Sequence, residues 1–177
     1  PAYLAAAGYP NGEGFPELNL LYFEQSGNEA LIVEAVQQMW EKNLGIKVNL
    51  QVQEFAVYSN TIRTPDWSIA YYGWSADYND PMTMLSLFSA EGLNDPRWRY
   101  KPYAGVPDDT TLNPENEAYD NAVKMAAKTS GEERDGYLKE VEDVLMENMV
   151  ICPISYTTYT QVIDHSKVSG PGRTPIG

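Results

Sequence analysis

LNLLYFEQSGNEALIVEAVQQMWEKNLGIKVNLQVQ, residues 18–53, is the stretch whose reading decides the fold. Leu18-Asn19-Leu20-Leu21-Tyr22-Phe23 carries apolar side chains on both faces of an extended chain, the pattern of a central strand covered on both sides. Ser26 and Glu29 have capping-box spacing, which opens a helix. Ile32, Val36, Met39, Trp40 and Leu44 then recur at helical spacing as its apolar stripe, and Gly45 is placed to end it. Ile46, Val48, Leu50 and Val52 alternate with Lys47, Asn49, Gln51 and Gln53, the period of a half-buried strand. Strand, helix and strand at these loop lengths make a βαβ unit, so the chain is α/β.

Upstream, residues 8–16 (GYPNGEGFP) are turn-rich. Downstream, a short helix near Phe55–Arg63 leads to the apolar run Trp67–Tyr72, read as a buried strand. The acidic, aromatic loop Gly73-Trp74-Ser75-Ala76-Asp77-Tyr78-Asn79-Asp80-Pro81 follows, and then a helix over Met82–Phe88, with Asp80 as its N-cap and Pro81 at its first position. A loop at the carboxyl end of a strand, before a helix, is where open α/β sheets bind ligands. Residues 91–112 read as irregular, and Asn113-Pro114 opens a helix carrying Tyr119, Val123 and Ala126. Ser130 and Glu133 form a second capping box, ahead of a helix that buries Leu138, Val141, Leu145 and Met149. Ile151–Tyr156 and Thr160–Ile163 read as final strands, and the Gly- and Pro-rich tail as a connector.

The net charge of −13, from 25 acidic and 12 basic residues, argues against nucleic acid or anionic lipid as partner. At 177 residues the chain is long enough to bury a substantial core, and no run is long enough to span a membrane. The lone cysteine, Cys152, sits in the apolar run Val150–Ile154 and reads as a small buried residue. A first residue Pro1 rather than Met points to a cut fragment or a mature product.

Several chemistries fail on the residues themselves. Gly73-Trp74-Ser75-Ala76-Asp77 begins like a nucleophile elbow, but Asp77 replaces the second glycine, and the only histidine, His165, lies near the tail and reads as a surface residue. Counted from Asp77, a calcium loop would need glycine where Met82 stands and glutamate where Phe88 stands. Gly12-Glu13-Gly14 has no following lysine and precedes a strand, so it is no phosphate loop. No spacing singles out a pair of carboxylates for glycoside hydrolysis. No cofactor or metal is implied. What remains is Asp77 among aromatic rings, suited to a cationic group such as a peptide's amino terminus; the competing role is an extra cap for the helix near Pro81. Tyr71, Tyr78 and Tyr156 are candidates for cavity walls with a polar tip.

These residues resemble a family. Ala6-Ala7-Gly8-Tyr9-Pro10-Asn11-Gly12, Gln37-Gln38-Met39-Trp40 with Leu44-Gly45-Ile46, Trp74-Ser75-Ala76-Asp77-Tyr78-Asn79-Asp80-Pro81, Leu145-Met146-Glu147 and Pro153-Ile154-Ser155-Tyr156 are similar to segments of the C-terminal lobe of the oligopeptide- and dipeptide-binding proteins of ABC importers. The resemblance implies a type II periplasmic-binding-protein lobe with a mixed sheet and flanking helices, part of a two-lobe protein: residues 1–165 as the ligand-binding lobe and 166–177 as a connector toward the other lobe. It implies a non-enzymatic receptor that captures peptides outside the cytoplasmic membrane, periplasmic or lipid-anchored, acts as a monomer and hands its cargo to ABC permease subunits. Asp77 would bind the peptide's α-ammonium, with Trp74 building the wall beside it and Tyr71 and Tyr156 contributing to the cleft. The strand that leads to the tryptophan loop departs from some oligopeptide binders, with Ile62 before Arg63 and Tyr71 where a basic residue stands, which removes a basis for preferring one short peptide length. Relatives of similar sequence carry nickel complexes, haem or oligosaccharides, so those cargos stay open. The chain alone, supplying one wall of the cleft, is expected to bind peptide weakly or not at all.

Overall fold

The computed structural model describes residues 1–62, 67–89, 100–101, 111–112, 114–156, 164, 166 and 167, with the backbone alone for 100–101, 111–112 and 114–116. The chain divides into two compact units, the first formed by residues 1–73 and the second beginning at Trp74.

The first unit is built on the βαβ stretch. Strand β1 (Leu18–Phe23) lies between β2 (Val48–Gln53) and β3 (Ile69–Ala70), both parallel to it, with Leu18 opposite Val48 and Leu20 opposite Ile69. The expected central position of β1 follows from its composition: Leu20 and Tyr22 meet helix α2 (Glu29–Leu44), and Leu21 is wholly buried on the other face. Leu20, Tyr22, Val33, Val36, Ile46 and Val48 form the core, with Trp40, Leu44 and Tyr71 packed against it. Gln37 reinforces the α2–β2 contact by donating from Nε2 to the Val48 carbonyl at 2.6 Å. A short helix α1 (Ala2–Ala6) and a 3-10 turn at Pro10–Gly12 precede β1, and α3 (Phe55–Thr61) follows β2.

Gly45 ends α2 as expected, in the left-handed region at φ +71°, its N–H donating to the Glu41 carbonyl. Its other role was not legible: a Cβ there would stand 2.1 Å from the Asn11 carbonyl oxygen, and one at Gly12 would stand 2.6 Å from Gly45 and Leu44 carbonyl oxygens. The turn at Pro10–Gly12 thus lies directly on the helix end, backbone against backbone.

The apolar stripe of α2 needs correction. Val36, Trp40 and Leu44 lie on the core face as expected, but Val33 is buried where Ile32 is only half-buried, and Met39, at the edge of that face, is 53% exposed. Val52, opposite Tyr22 near the carboxyl end of β2, is 58% exposed. The Ser26–Glu29 box is half made. Glu29 accepts from the Ser26 N–H and hydroxyl, but the helix begins after Asn28, so Ser26 does not cap it. The run Trp67–Tyr72 is half-buried, apart from exposed Ser68 and Tyr72, and only Ile69–Ala70 are in strand, flanked by hydrogen bonds from Ser68 N–H to the Asn19 carbonyl and from Tyr71 N–H to the Leu21 carbonyl.

In the second unit, α4 (Met82–Leu85) runs into a 3-10 turn (Ser86–Phe88), and α5 (Pro114–Ala126) and α6 (Gly131–Glu147) form a hairpin. Tyr119, Ala122, Val141 and Leu145 are its core, against which Leu85, Phe88, Val150 and Ile151 pack. The Tyr119 hydroxyl donates to the Leu85 carbonyl, and burial, with a smaller push from Asp120, raises the phenol well above its ordinary range. Residues 91–112 are not wholly irregular: β4 (Tyr100–Lys101) and β5 (Thr111–Leu112) pair antiparallel.

Four further expectations are corrected. Ser130 stands at the N-cap of α6, but its side chain makes no capping hydrogen bond, so no box forms with Glu133. Met149 is 71% exposed, because the helix has ended and this residue turns the chain at φ +52°. Past that turn, Ile151–Tyr156 form no strand; Ile151 packs on the hairpin core and the rest find no ladder partner among the described residues. Cys152 is therefore exposed rather than buried. Arg63, Thr160–Ile163, His165 and most of the tail lie outside the described residues.

Candidate functional site

The loop after β3 is held by short-range hydrogen bonds of the second unit. The Asp80 N–H donates to the Tyr78 carbonyl at 2.9 Å, and the Thr83 N–H donates to the Asp80 carbonyl at 3.1 Å. The Asp80 carboxylate accepts from the Met82 N–H at 2.9 Å, so Asp80 caps the helix as the Asp-Pro pair leads one to expect, with Pro81 already at helical φ and ψ. Its other partner lies 54 positions away: Arg134 Nη2 donates to both Asp80 oxygens, at 2.6 and 2.8 Å, while Arg134 Nε donates to the Ala126 carbonyl at 3.1 Å. One guanidinium thereby joins the last residue of α5 to the start of α4. The Met82 N–H first, and then Arg134, hold the Asp80 carboxyl below its usual range.

Asp77 is in a different situation. Its N–H donates to Thr83 Oγ1 at 2.9 Å, and Thr83 is 4% exposed. Its carboxylate is exposed and makes no hydrogen bond or ion pair among the described residues. The backbone of Asp77 is thus fixed while its charge faces outward. The role of an extra cap for Asp77 is not met, since among the described residues its carboxylate takes no hydrogen bond from the helix start, where the Met82 N–H goes to Asp80.

The other predicted residues are placed within their own units. Trp74 is half-buried in the second unit. Tyr156, in the same unit, is 98% exposed. Tyr71 belongs to the first unit, where its ring packs on the sheet core and its carbonyl accepts from the fully buried Tyr58 hydroxyl at 2.9 Å. Burial, and then the negative charge of Glu29, raise the Tyr71 phenol. Beside it, Phe23, Phe55, Tyr58 and Tyr72 form a ring cluster with centroids 4.8 to 6.4 Å apart. Tyr78 is about half exposed. Thr83 and Arg134, which organise the loop, carried no signal in the sequence, because neither stands at a motif position.

The parallel βαβ sheet with flanking helices is α/β, and solved structures that it matches place it in the class of type II periplasmic-binding-protein folds. It superposes on the murein tripeptide binding protein of Escherichia coli with a TM-score of 0.67 at 30% identity, over 84% of this chain and 26% of that one. For Haemophilus influenzae OppA, solved in complex with RPPGFSPFR, the TM-score is 0.64 at 27% identity, over 83% of this chain and 26% of the other. The sequence is 32% identical over 165 residues to the oligopeptide-binding protein OppA of Bacillus subtilis, covering 92% of this chain and 27% of that protein. Residues 1–95 match the middle region of the bacterial extracellular solute-binding proteins, family 5, and the chain belongs to that family. It spans about a quarter of the length of the curated relatives it matches. Among the described residues no helix is long and apolar enough to cross a membrane.

Proposed function

We propose that the chain is part of the solute-binding component of an ABC importer that captures oligopeptides or dipeptides, without catalysing a reaction. In this reading Asp77 receives the peptide's α-ammonium, and Trp74 forms the wall beside it. Tyr156 lines the cleft, and Tyr71, seated on the sheet core, contributes through the backbone and ring it holds in place. The receptor works outside the cytoplasmic membrane, as a monomer, and delivers its cargo to permease subunits. Residues 1–165 act as ligand-binding lobe and 166–177 as connector.

The observation that carries the reading is the Asp77 carboxylate, outward-facing and unspent on a fixed backbone. An exposed ion pair contributes about 0.2–1 kcal/mol, so the anchor becomes strong only when ligand and protein together exclude water around it. The names of the relatives support a peptide as the cargo. Native mass spectrometry of the full-length protein, offered a mixed peptide pool and the same pool N-acetylated, tests the proposal. Retention of free-amine peptides only is expected; indifference to acetylation would remove the ammonium contact and favour a non-peptide cargo.

A further inference from the structure

We infer that Thr83 and Arg134 are positioning residues for recognition of a peptide's free amino terminus: they hold the Asp77 loop in the shape that presents its carboxylate. The inference rests on the reading of Asp77 as the ammonium anchor and adds what makes that anchor selective.

The geometry is a relay confined to the second unit. Arg134 is fixed at one side by the Ala126 carbonyl and grips both oxygens of Asp80 at the other. Asp80 in turn receives the Met82 N–H on its carboxylate and the Thr83 N–H on its carbonyl. Thr83, buried at the start of α4, offers its hydroxyl oxygen to the Asp77 N–H. Asp77 lies in a non-helical, non-strand segment, so no ladder holds it. A loop carboxylate that must be ordered on binding loses affinity to conformational entropy, whereas one already ordered does not. One guanidinium nitrogen, Nη2, reaches both Asp80 oxygens while Nε is held by the Ala126 carbonyl, so the same side chain is charge-assisted at one end and anchored at the other.

Removal of the Thr83 hydroxyl oxygen leaves the Asp77 N–H without its partner while keeping side-chain volume. Loss of the Arg134 guanidinium removes the Nη2 contact to both Asp80 oxygens. Either change is expected to act on the amino-terminal contact and to spare the rest of the peptide. The readout is a ratio, the affinity for tri-alanine over that for N-acetyl-tri-alanine, measured calorimetrically on the full-length protein.

Thr83→Val and Arg134→Gln are each expected to lower this ratio about fivefold or more, with the affinity for the acetylated peptide unchanged. Thr83→Ser, which keeps the hydroxyl, is expected to restore it. Loss of affinity for both peptides in equal measure, or a ratio equal to wild type in both variants, would overturn the inference. Asp77→Asn run alongside separates the two claims. If it abolishes the ratio while Thr83→Val and Arg134→Gln do not, the positioning roles fall and the anchor stands. If Asp77→Asn leaves the ratio intact, the anchor falls and the positioning roles fall with it.

Discussion

Gly45→Ala is the substitution whose cost the structure specifies most fully. Gly45 sits at φ +71°, where an L side chain is disfavoured by about 1–2 kcal/mol. The added Cβ would also stand 2.1 Å from the Asn11 carbonyl oxygen and 3.1 Å from its carbon, both backbone atoms. The turn at Pro10–Gly12 and the end of α2 would have to part by roughly 1.3 Å or more to restore ordinary contact. Forcing apart well-packed elements costs about 1–3 kcal/mol, so a total of about 2–5 kcal/mol is expected. Gly27→Ala is the control, since Gly27 has φ +82° but open space around its would-be Cβ, and it should lose only the conformational part, about 1–2 kcal/mol. Urea unfolding of the 177-residue chain, followed by far-ultraviolet circular dichroism, measures both. Equal losses for the two variants would refute the backbone contact as the reason for glycine at this position.

Tyr58→Phe removes the hydroxyl that binds the Tyr71 carbonyl from a fully buried ring and is expected to cost about 1–2 kcal/mol in urea unfolding. Asp80 has a lowered folded pKa, so its contribution is full above the unfolded value of 3.8 and is lost as pH falls through the lower folded value. Acid titration of stability should therefore show wild type approaching Asp80→Asn only below about pH 3.8. Glu29 behaves in the same sense. Although burial opposes the shift, hydrogen bonds from its own N–H and from Ser26 bring it from 4.5 to about 2, and the advantage of wild type over Glu29→Gln should fade across that interval. Tyr156→Ala should leave the unfolding midpoint of the isolated chain unchanged, because its side chain is almost wholly exposed.

What was legible in the sequence was what depends on neighbours along the chain. β1, α2 and β2 announce themselves by period, Gly45 by its place after the last helical turn, and Asp80-Pro81 by local capping chemistry. Met39 and Met149 are exposed although their spacing predicts burial, because an apolar side chain at the right spacing carries no information on whether anything covers it. The run Ile151–Tyr156 has the composition of a strand, but a strand needs a ladder partner, and composition cannot supply one. The two serine–glutamate boxes show the same limit in two ways: α2 begins after Asn28 rather than at Ser26, and Ser130 stands at the N-cap of α6 without a side-chain capping bond. At the candidate site, Asp77 was legible as a carboxylate among aromatic residues. Thr83 and Arg134 were not, because their roles come from folding α4 and the α5–α6 hairpin together. The Pro10-Asn11-Gly12 segment, noticed through its resemblance to a family segment, has a structural explanation in its contact with Gly45.

The central claim is that Asp77 recognises a free peptide amino terminus, and the most direct test is the dissociation constant of tri-alanine and of its N-acetyl form for the full-length protein, wild type and Asp77→Asn. Wild type should prefer the free amine by about tenfold or more, and Asp77→Asn should bind the two forms alike. A wild type that does not distinguish them, or a variant that still does, would contradict the account.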